Sequence, residues 1–469
     1  MSHETEEYQS ETKIEFLKPL DIPDAFNSIP TGNDLIDYLE KFVNHVSLSS
    51  SEELNEIRKL RQQKENFQTA DTVIFNLANF GLGDALMQLP YANAIAREYE
   101  DKRIKVLVPP AIAEMKSLAL STNIKLFTTI DDAYGDISKS SKKSIIIQLL
   151  RGPAEKQESF LEETNRYCIP RNKTPEIRSK QAVDAYLISL KNSNRWIMPI
   201  DIRLGNKYTL PYADLCAQLI GKYNLHNYSE LDYAFILTLK FLGARIEKRN
   251  ITYPILHPEI ITQLRNTYID GFFNKQKRFA FDVVIAPDAG EYSILDSSGT
   301  YDKSVKSSSS LVLEDAFREI YNKAPKSTFI LIPGKKHAEY SDDVFRRLVK
   351  YFPHAKNLPA ESLDEMVGMF AASRIIVTWD SVTRWIAEAL LRTQQYTKQQ
   401  AKTFMPFSKM ITFHNGGRIP YDEYGPREIS NVVIVGDMPL DSNCTGAINN
   451  EINIPGKIIA DCISTALVE

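Results

Sequence analysis

The chain has 469 residues, 43% of them apolar and 25% charged, which is enough for two or three domains with sizeable cores. Its net charge of −4 argues against a general nucleic-acid binder, because neutralising phosphates takes clustered excess Lys and Arg. No apolar run reaches the roughly 18 residues of a membrane span, and the polar, acidic start MSHETEEYQSETK is no secretory signal. The cysteines, Cys168, Cys216, Cys444 and Cys462, have no paired spacing, and the histidines form no ligand pair one helical turn apart. The expectation is a cytoplasmic protein with reduced thiols and no metal site.

Residues 1–30 carry Pro19, Pro23 and Pro30 among charges and predict little regular structure. Residues 32–66 predict two amphipathic helices, one with a stripe of Leu35, Ile36, Leu39, Phe42 and Val43, the other with Leu54, Ile57 and Leu60. Such a hairpin cannot bury its stripe alone, so this extension (residues 1–70) either packs on the domain that follows or meets another subunit. The apolar repeat is too short for a coiled-coil seam, which favours packing.

From Asp71 strands and helices alternate, which implies a parallel sheet covered on both faces. An apolar run from Val73 to Leu77 is followed by Gly81 and Gly83 and then by Ala85, Leu86, Leu89, Ala92, Ile95 and Ala96 at helical spacing. This is a strand, a loop and a helix opening on Asp84, with the loop at the strand end where open α/β sheets place ligands. Asp84 can serve there as a helix cap or as a base in the crevice. The strand KVLVPP, a helix around Ile112 to Leu120 and the strand SIIIQLL at 144–150 follow. Residues 151–275 are hard to read: helical pieces at Gln181–Leu190, Tyr212–Tyr223 and Leu231–Leu242, and a basic stretch with Arg166, Arg171, Lys173, Arg178 and Lys180. That stretch reads as a solvated surface, with contact to an anionic acceptor or a peripheral membrane surface as the alternative.

A first domain over residues 71–275 is therefore followed by a second over 276–455. It opens with DVVIAPDAG and continues with a helix Leu313–Asn322, the strand TFILIPG, a helix from about Ser341 to Tyr351, a helix whose capping box is Ser362 and Glu365, and a strand Ile375–Thr378. The polar loop KSVKSSSS holds Lys303, Lys306 and Ser307 just before the first of these helices, where it is either a loop with a serine cap or an anion cradle. Asp380 and Ser381 open the next helix, with Asp380 the candidate cap. Residues 456–469 read as a last helix.

Two segments resemble one known family. FGLGDALMQLPYANAIAREY followed by KVLVPPAIAEM, and NLPAESLDEMVGMFAASRIIVTWDSVTRWIAEALL, are similar in content and order to the ADP-heptose:heptosyltransferases (glycosyltransferase family 9). The resemblance covers roughly 71–130 and 280–435 and implies a GT-B fold: α/β, with two doubly wound Rossmann-like domains facing a cleft, here with an N-terminal helical extension, and with the last helix, Lys457 to Leu467, expected to cross back to the first domain as in many enzymes of that fold. It implies an inverting, metal-independent transferase that needs no cofactor beyond its nucleotide-diphosphate sugar donor, ADP-heptose in the family, and passes the sugar to a carbohydrate, glycolipid or protein hydroxyl. In it Asp84 is the general base, beside Gly81 and Gly83. Lys306, with Lys303 as its rival, and Ser307 cradle the diphosphate. Asp380 and Ser381 hold the nucleotide part, and the family's Gly, Pro and His in this turn are replaced, Gly by Val382, so that Thr383 and Arg384 stand in as donor contacts. His414 and Arg418 lie in FHNGGRIPYDEYGP, where the family closes a loop over the nucleotide. Two other readings remain open: a catalytically silent nucleotide- or partner-binding protein, and a sugar-nucleotide epimerase.

Overall fold

The computed structural model describes residues 30–45, 61–62, 64–77, 82–129, 132–133, 144–148, 196–197, 240, 242–244, 256–272, 278–287, 308–334, 338–379, 381–399, 408–413 and 455–468. Within them two five-stranded sheets are each built entirely of parallel pairs.

The first sheet begins with β1 (Thr72–Asn76), in which Val73, Ile74 and Phe75 are all buried. An unbroken apolar run of this kind belongs to a central parallel strand covered on both sides. Helix α2 (Leu82–Glu98) leads to β2 (Arg103–Leu107), the single turn α3 (Pro110–Ala113) and β3 (Ile124–Phe127). The chain then returns across β1 to β4 (Ser144–Gln148) and β5 (Trp196–Ile197), giving the order β3-β2-β1-β4-β5. The helical pieces read between 181 and 242 lie outside the described residues, apart from residues 240 and 242.

Ahead of this sheet, α1 (Asn33–His45) is tied to it from several sides. Leu35 and Ile36 enter the core with Phe67, and Lys64 and Arg61 bind Asn33 and Asp37. The Gly32 N–H donates to Lys240 C=O at 2.8 Å, while Gly32 and Gly243, both at positive φ, pass close enough that a Cβ on Gly32 would lie 3.6 Å from Gly243 Cα. Side chains are strained at that φ, so glycine is required on both strands of this crossing.

The second sheet repeats the scheme. It comprises β6 (Phe281–Ala286), α5 (Ser310–Lys323), β7 (Phe329–Leu331), α6 (Ala338–Tyr351), β8 (Lys356–Asn357), α7 (Leu363–Ala371), β9 (Ser373–Trp379), α8 (Val382–Gln399) and β10 (Lys409–Phe413). The order is β10-β9-β6-β7-β8. Period-2 alternation sends Val284, Ile330 and Ile376 into one apolar cluster and Val283, Ile285, Leu331, Ile375 and Val377 into the other. The first cluster is shared with α2 and the first sheet, so one continuous core runs between the two units.

Two expectations, the extent of the helix from Ile112 and the place of the last helix, are corrected, and one helix is added. The helix expected over Ile112–Leu120 stops after α3, because Ser117 and Leu118 are drawn into other contacts: Ser117 C=O accepts from His257 N–H at 2.6 Å, Leu118 bridges to Leu256, and the Asp364 carboxylate accepts from the N–H groups of Lys116 and Ser117 and from the Ser117 hydroxyl. Helix α4 (Pro258–Phe272), which is not among the helical pieces read in 151–275, packs on α7 so tightly that a Cβ on Gly368 would meet Tyr268 and the Leu264 carbonyl. The last helix, α9 (Gly456–Val468), packs on α5 and beside β9 and β10, within the second sheet's own cluster, because Ile459, Ile463 and Ala466 match the apolar face of α5.

Candidate active site

Ligands of open parallel sheets sit beyond the carboxyl ends of the strands, at the point where the strand order reverses. That point lies between β1 and β4 in one sheet and between β6 and β9 in the other. Helices α2 and α8 begin beyond β1 and β9, and their first turns meet. A Cβ on Gly83 would lie 2.7 Å from Trp385 Cδ1, 3.2 Å from Trp385 Nε1 and 3.4 Å from Val382 Cα. Two sequence segments far apart in the chain are thus joined at the residue next to Asp84. Where the resemblance has glycine at position 382, the glycine of the contact stands on the opposite helix.

Helix α2 starts at Leu82, so Asp84 is its third residue and not its cap. The side chain of Asp84 lies outside the described residues. At the other mouth the capping position belongs to Ser381, correcting the assignment to Asp380. The Ser381 hydroxyl accepts from the Thr383 N–H at 3.2 Å and shares a hydrogen bond with the Thr383 hydroxyl at 2.6 Å, and its carbonyl accepts from the Arg384 N–H. Thr383 and Arg384 are both buried, and the Arg384 guanidinium carbon stands 4.1 Å from the centre of the Trp385 ring. Each helix start carries about half a positive charge, so two of them together with a buried guanidinium make a junction that favours an anion.

A third mouth is anchored beside β9. Ser308 is fully buried; its hydroxyl accepts from Trp379 Nε1–H at 3.1 Å and its carbonyl from the Tyr340 hydroxyl at 2.6 Å. The next residue, Ser309, caps α5 by accepting from the Val312 N–H. The chain leaving the loop that holds Lys303, Lys306 and Ser307 is therefore fixed against the strand that leads to Asp380.

Gly81, Lys303, Lys306, Ser307, Asp380, His414 and Arg418 lie outside the described residues. Gly83, Ser381, Thr383 and Arg384 are brought together; Ser308 joins them through Trp379, the last residue of the strand before this turn. Sequence reasoning passed over Trp385 and Gln88. Gln88 is 1% exposed, and neither its amide oxygen nor its nitrogen has a hydrogen-bond partner among the described residues. Its signal in the sequence was a lone amide, one turn after Asp84, in a helix otherwise apolar from Ala85 to Ala96 apart from Asn93. Among the described residues no group of three or more His, Cys, Asp or Glu side chains is arranged to hold a metal, and no helix is long and apolar enough to cross a membrane.

No protein-family model matches the chain, and no curated protein matches it. Solved structures do. A glycosyltransferase of family 9 from Veillonella parvula is 12% identical, with 85% of this chain and 97% of that chain covered and a TM-score of 0.52. Heptosyltransferase II of E. coli is 11% identical over 85% and 98% of the two chains, with a TM-score of 0.45, and E. coli heptosyltransferase WaaC with ADP is 12% identical over 84% and 99%, also at 0.45. At such identities the likeness is one of fold, and the Veillonella structure carries it: the chain has the two-sheet α/β architecture of GT-B glycosyltransferases.

Proposed function

We propose that the protein is an inverting, metal-independent glycosyltransferase that moves a sugar, heptose by resemblance, from a nucleotide-diphosphate donor to an acceptor hydroxyl. The observation that supports this most is the meeting of the α2 and α8 mouths, which sets the residue beside Asp84 against the turn of Ser381 and Thr383. A base for the acceptor and an electropositive seat for the leaving group are needed within one cleft, and these two segments are the ones the resemblance assigns to them. In the reaction the Asp84 carboxylate takes the acceptor proton as the hydroxyl oxygen attacks the anomeric carbon. The bond from that carbon to the diphosphate oxygen breaks, and its electron pair leaves on the diphosphate. A single displacement inverts the anomeric centre, so no second carboxylate is required. Lys306, or Lys303, with Ser307 neutralises the charge that builds on the leaving group, beside the α5 mouth fixed by Ser308.

The test is a panel of nucleotide sugars incubated with the pure protein, followed by separation of products. A transferase leaks donor to water, an epimerase returns an isomer, and a silent binder does neither. Asp84→Asn should bind donor as the wild type does and lose on the order of 100- to 10,000-fold in turnover, the usual cost of removing a general base. Wild-type turnover by that variant would remove Asp84 from the chemistry.

A further inference from the structure

Strands β6, β7, β9 and β10 of the second sheet all end on the side where an open parallel sheet places its ligands. One buried serine joins three of these ends. Ser308 stands just before the cap of α5, in the connection that follows β6. Its hydroxyl accepts from the indole N–H of Trp379, the last residue of β9, at 3.1 Å, and its carbonyl accepts from the hydroxyl of Tyr340, in the first turn of α6 beyond β7, at 2.6 Å. The same indole packs on the ring of Phe413, the last residue of β10, with 5.3 Å between ring centres.

Packing alone explains none of these polar groups. A strand end that needed only to be filled could carry phenylalanine, since a buried indole N–H calls for a partner. A serine hydroxyl taken out of water is costly unless it is bonded. The first carbonyl that α5 uses is that of Ser309, which accepts from the Leu313 N–H, so Tyr340 meets an acceptor that lies outside the helix. Each group finds its counterpart on a different connection. What the set secures is therefore the relation between the connections.

We propose that Ser308 is a positioning residue for the nucleotide-binding edge of the second sheet, acting through Trp379 on the turn of Ser381 and Thr383. It rests on the transferase reading above, in which the starts of α5 and α8 both face the donor. Trp379 stands two residues before Ser381, so the bond that fixes the indole also fixes where α8 begins. A donor that meets two helix starts already set against each other loses less of its binding energy to ordering them.

Ser308→Ala removes the hydroxyl and leaves the carbonyl to Tyr340. Hydrogen exchange of the ligand-free protein reads the result at amides that bond locally: Val312 to the Ser309 hydroxyl at the start of α5, and Thr383 and Arg384 to Ser381 at the start of α8. Both starts should exchange about 3- to 10-fold faster in the variant, the worth of one net hydrogen bond, while the amides of β1 keep their wild-type rates. Affinity for ADP or UDP, measured by calorimetry, should fall by a similar factor. Tyr340→Phe, which takes the donor from the Ser308 carbonyl, should act on the same amides in the same way, and it serves if Ser308→Ala does not fold. Unchanged exchange at Thr383 and Arg384 overturns the proposal. So does an equal acceleration in β1, which would mean a general loss of stability, or a local acceleration with wild-type nucleotide affinity. A wild-type protein that binds neither nucleotide overturns the transferase reading alone, because exchange at the two helix starts needs no ligand and still decides whether Ser308 couples them.

Discussion

Replacing Gly83 by alanine adds one methyl group where the two sheets' helices touch. The new carbon would sit 2.7 Å from Trp385 Cδ1 and 3.4 Å from Val382 Cα, against about 3.5–4.0 Å for a relaxed carbon contact. The indole must withdraw, yet it is only 6% exposed and is packed in the same core as Ile386 and Ala389. Overpacking of this kind costs about 1–3 kcal/mol. Alanine in place of glycine inside a helix returns about 1 kcal/mol, so the single variant should lose up to about 2 kcal/mol. Trp385→Ala will cost about 3–5 kcal/mol by itself, but it opens the space. In that background Gly83→Ala should become stabilising by up to about 1 kcal/mol. The four proteins can be compared by thermal or urea unfolding, where 1 kcal/mol corresponds to about 2–4 °C for domains of this size. A change of sign between the backgrounds, a coupling of about 1–3 kcal/mol, is the expected result. Equal effects in both would refute the direct contact of the two helix mouths.

Lys306→Ala should lower kcat/KM for the donor by roughly 100-fold and Lys303→Ala far less, because Lys306 is the closer of the two in sequence to the start of α5; small, equal losses would move the phosphate site to Ser381, Thr383 and Arg384. Donor affinity measured by calorimetry should survive EDTA, and a collapse reversed by Mg²⁺ or Mn²⁺ would end the metal-free mechanism. Burial first, and the neighbouring Asp461 charge second, push the Cys462 thiol up to about 11, so its alkylation at pH 8 should be roughly 100-fold slower in the folded than in the unfolded protein; comparable rates would refute its burial. Between α5 and α6, burial would raise the Asp343 carboxyl, but the Ser310 hydroxyl and the Arg347 guanidinium outweigh it and hold it below its ordinary value; Glu314 is likewise held low, against its own desolvation, by Lys350 and Arg347. These pairs stabilise above the ordinary carboxylate range and fade as pH falls through the depressed values. Arg347→Met should therefore cost about 3 kcal/mol near pH 7 and progressively less below about pH 4, whereas a constant difference down to pH 2 would refute the linkage.

Local pattern was enough to read most elements that pack by their own periodicity. The apolar run at Val73–Leu77, the stripes before Tyr351 and after Leu313, and the serine and glutamate around α7 all correspond to observed elements, since burial on a sheet rewards residue spacing directly. The capping box at α7 differs in one bond: Ser362 accepts from the Glu365 N–H, while the Glu365 carboxylate reaches the Glu361 N–H. The site was legible as two segments, though not as one place. The cap of α8 by Ser381 rather than Asp380 is a local bond to Thr383 that shifts the helix start by one residue, whereas that Gly83 lies against Trp385 is a matter of how two separately wound sheets dock, and no window of neighbouring residues encodes that. The same cause ended the expected helix after Ala113. Residues of good local propensity were claimed by Leu256, His257 and Asp364, contacts far away in the chain, and hydrogen bonds made across the two units outweighed those a longer helix would have made. Sequence alone thus determined the layers and the chemistry available to them; the tertiary structure decided which of those residues stand face to face, because docking depends on the shapes of two finished surfaces.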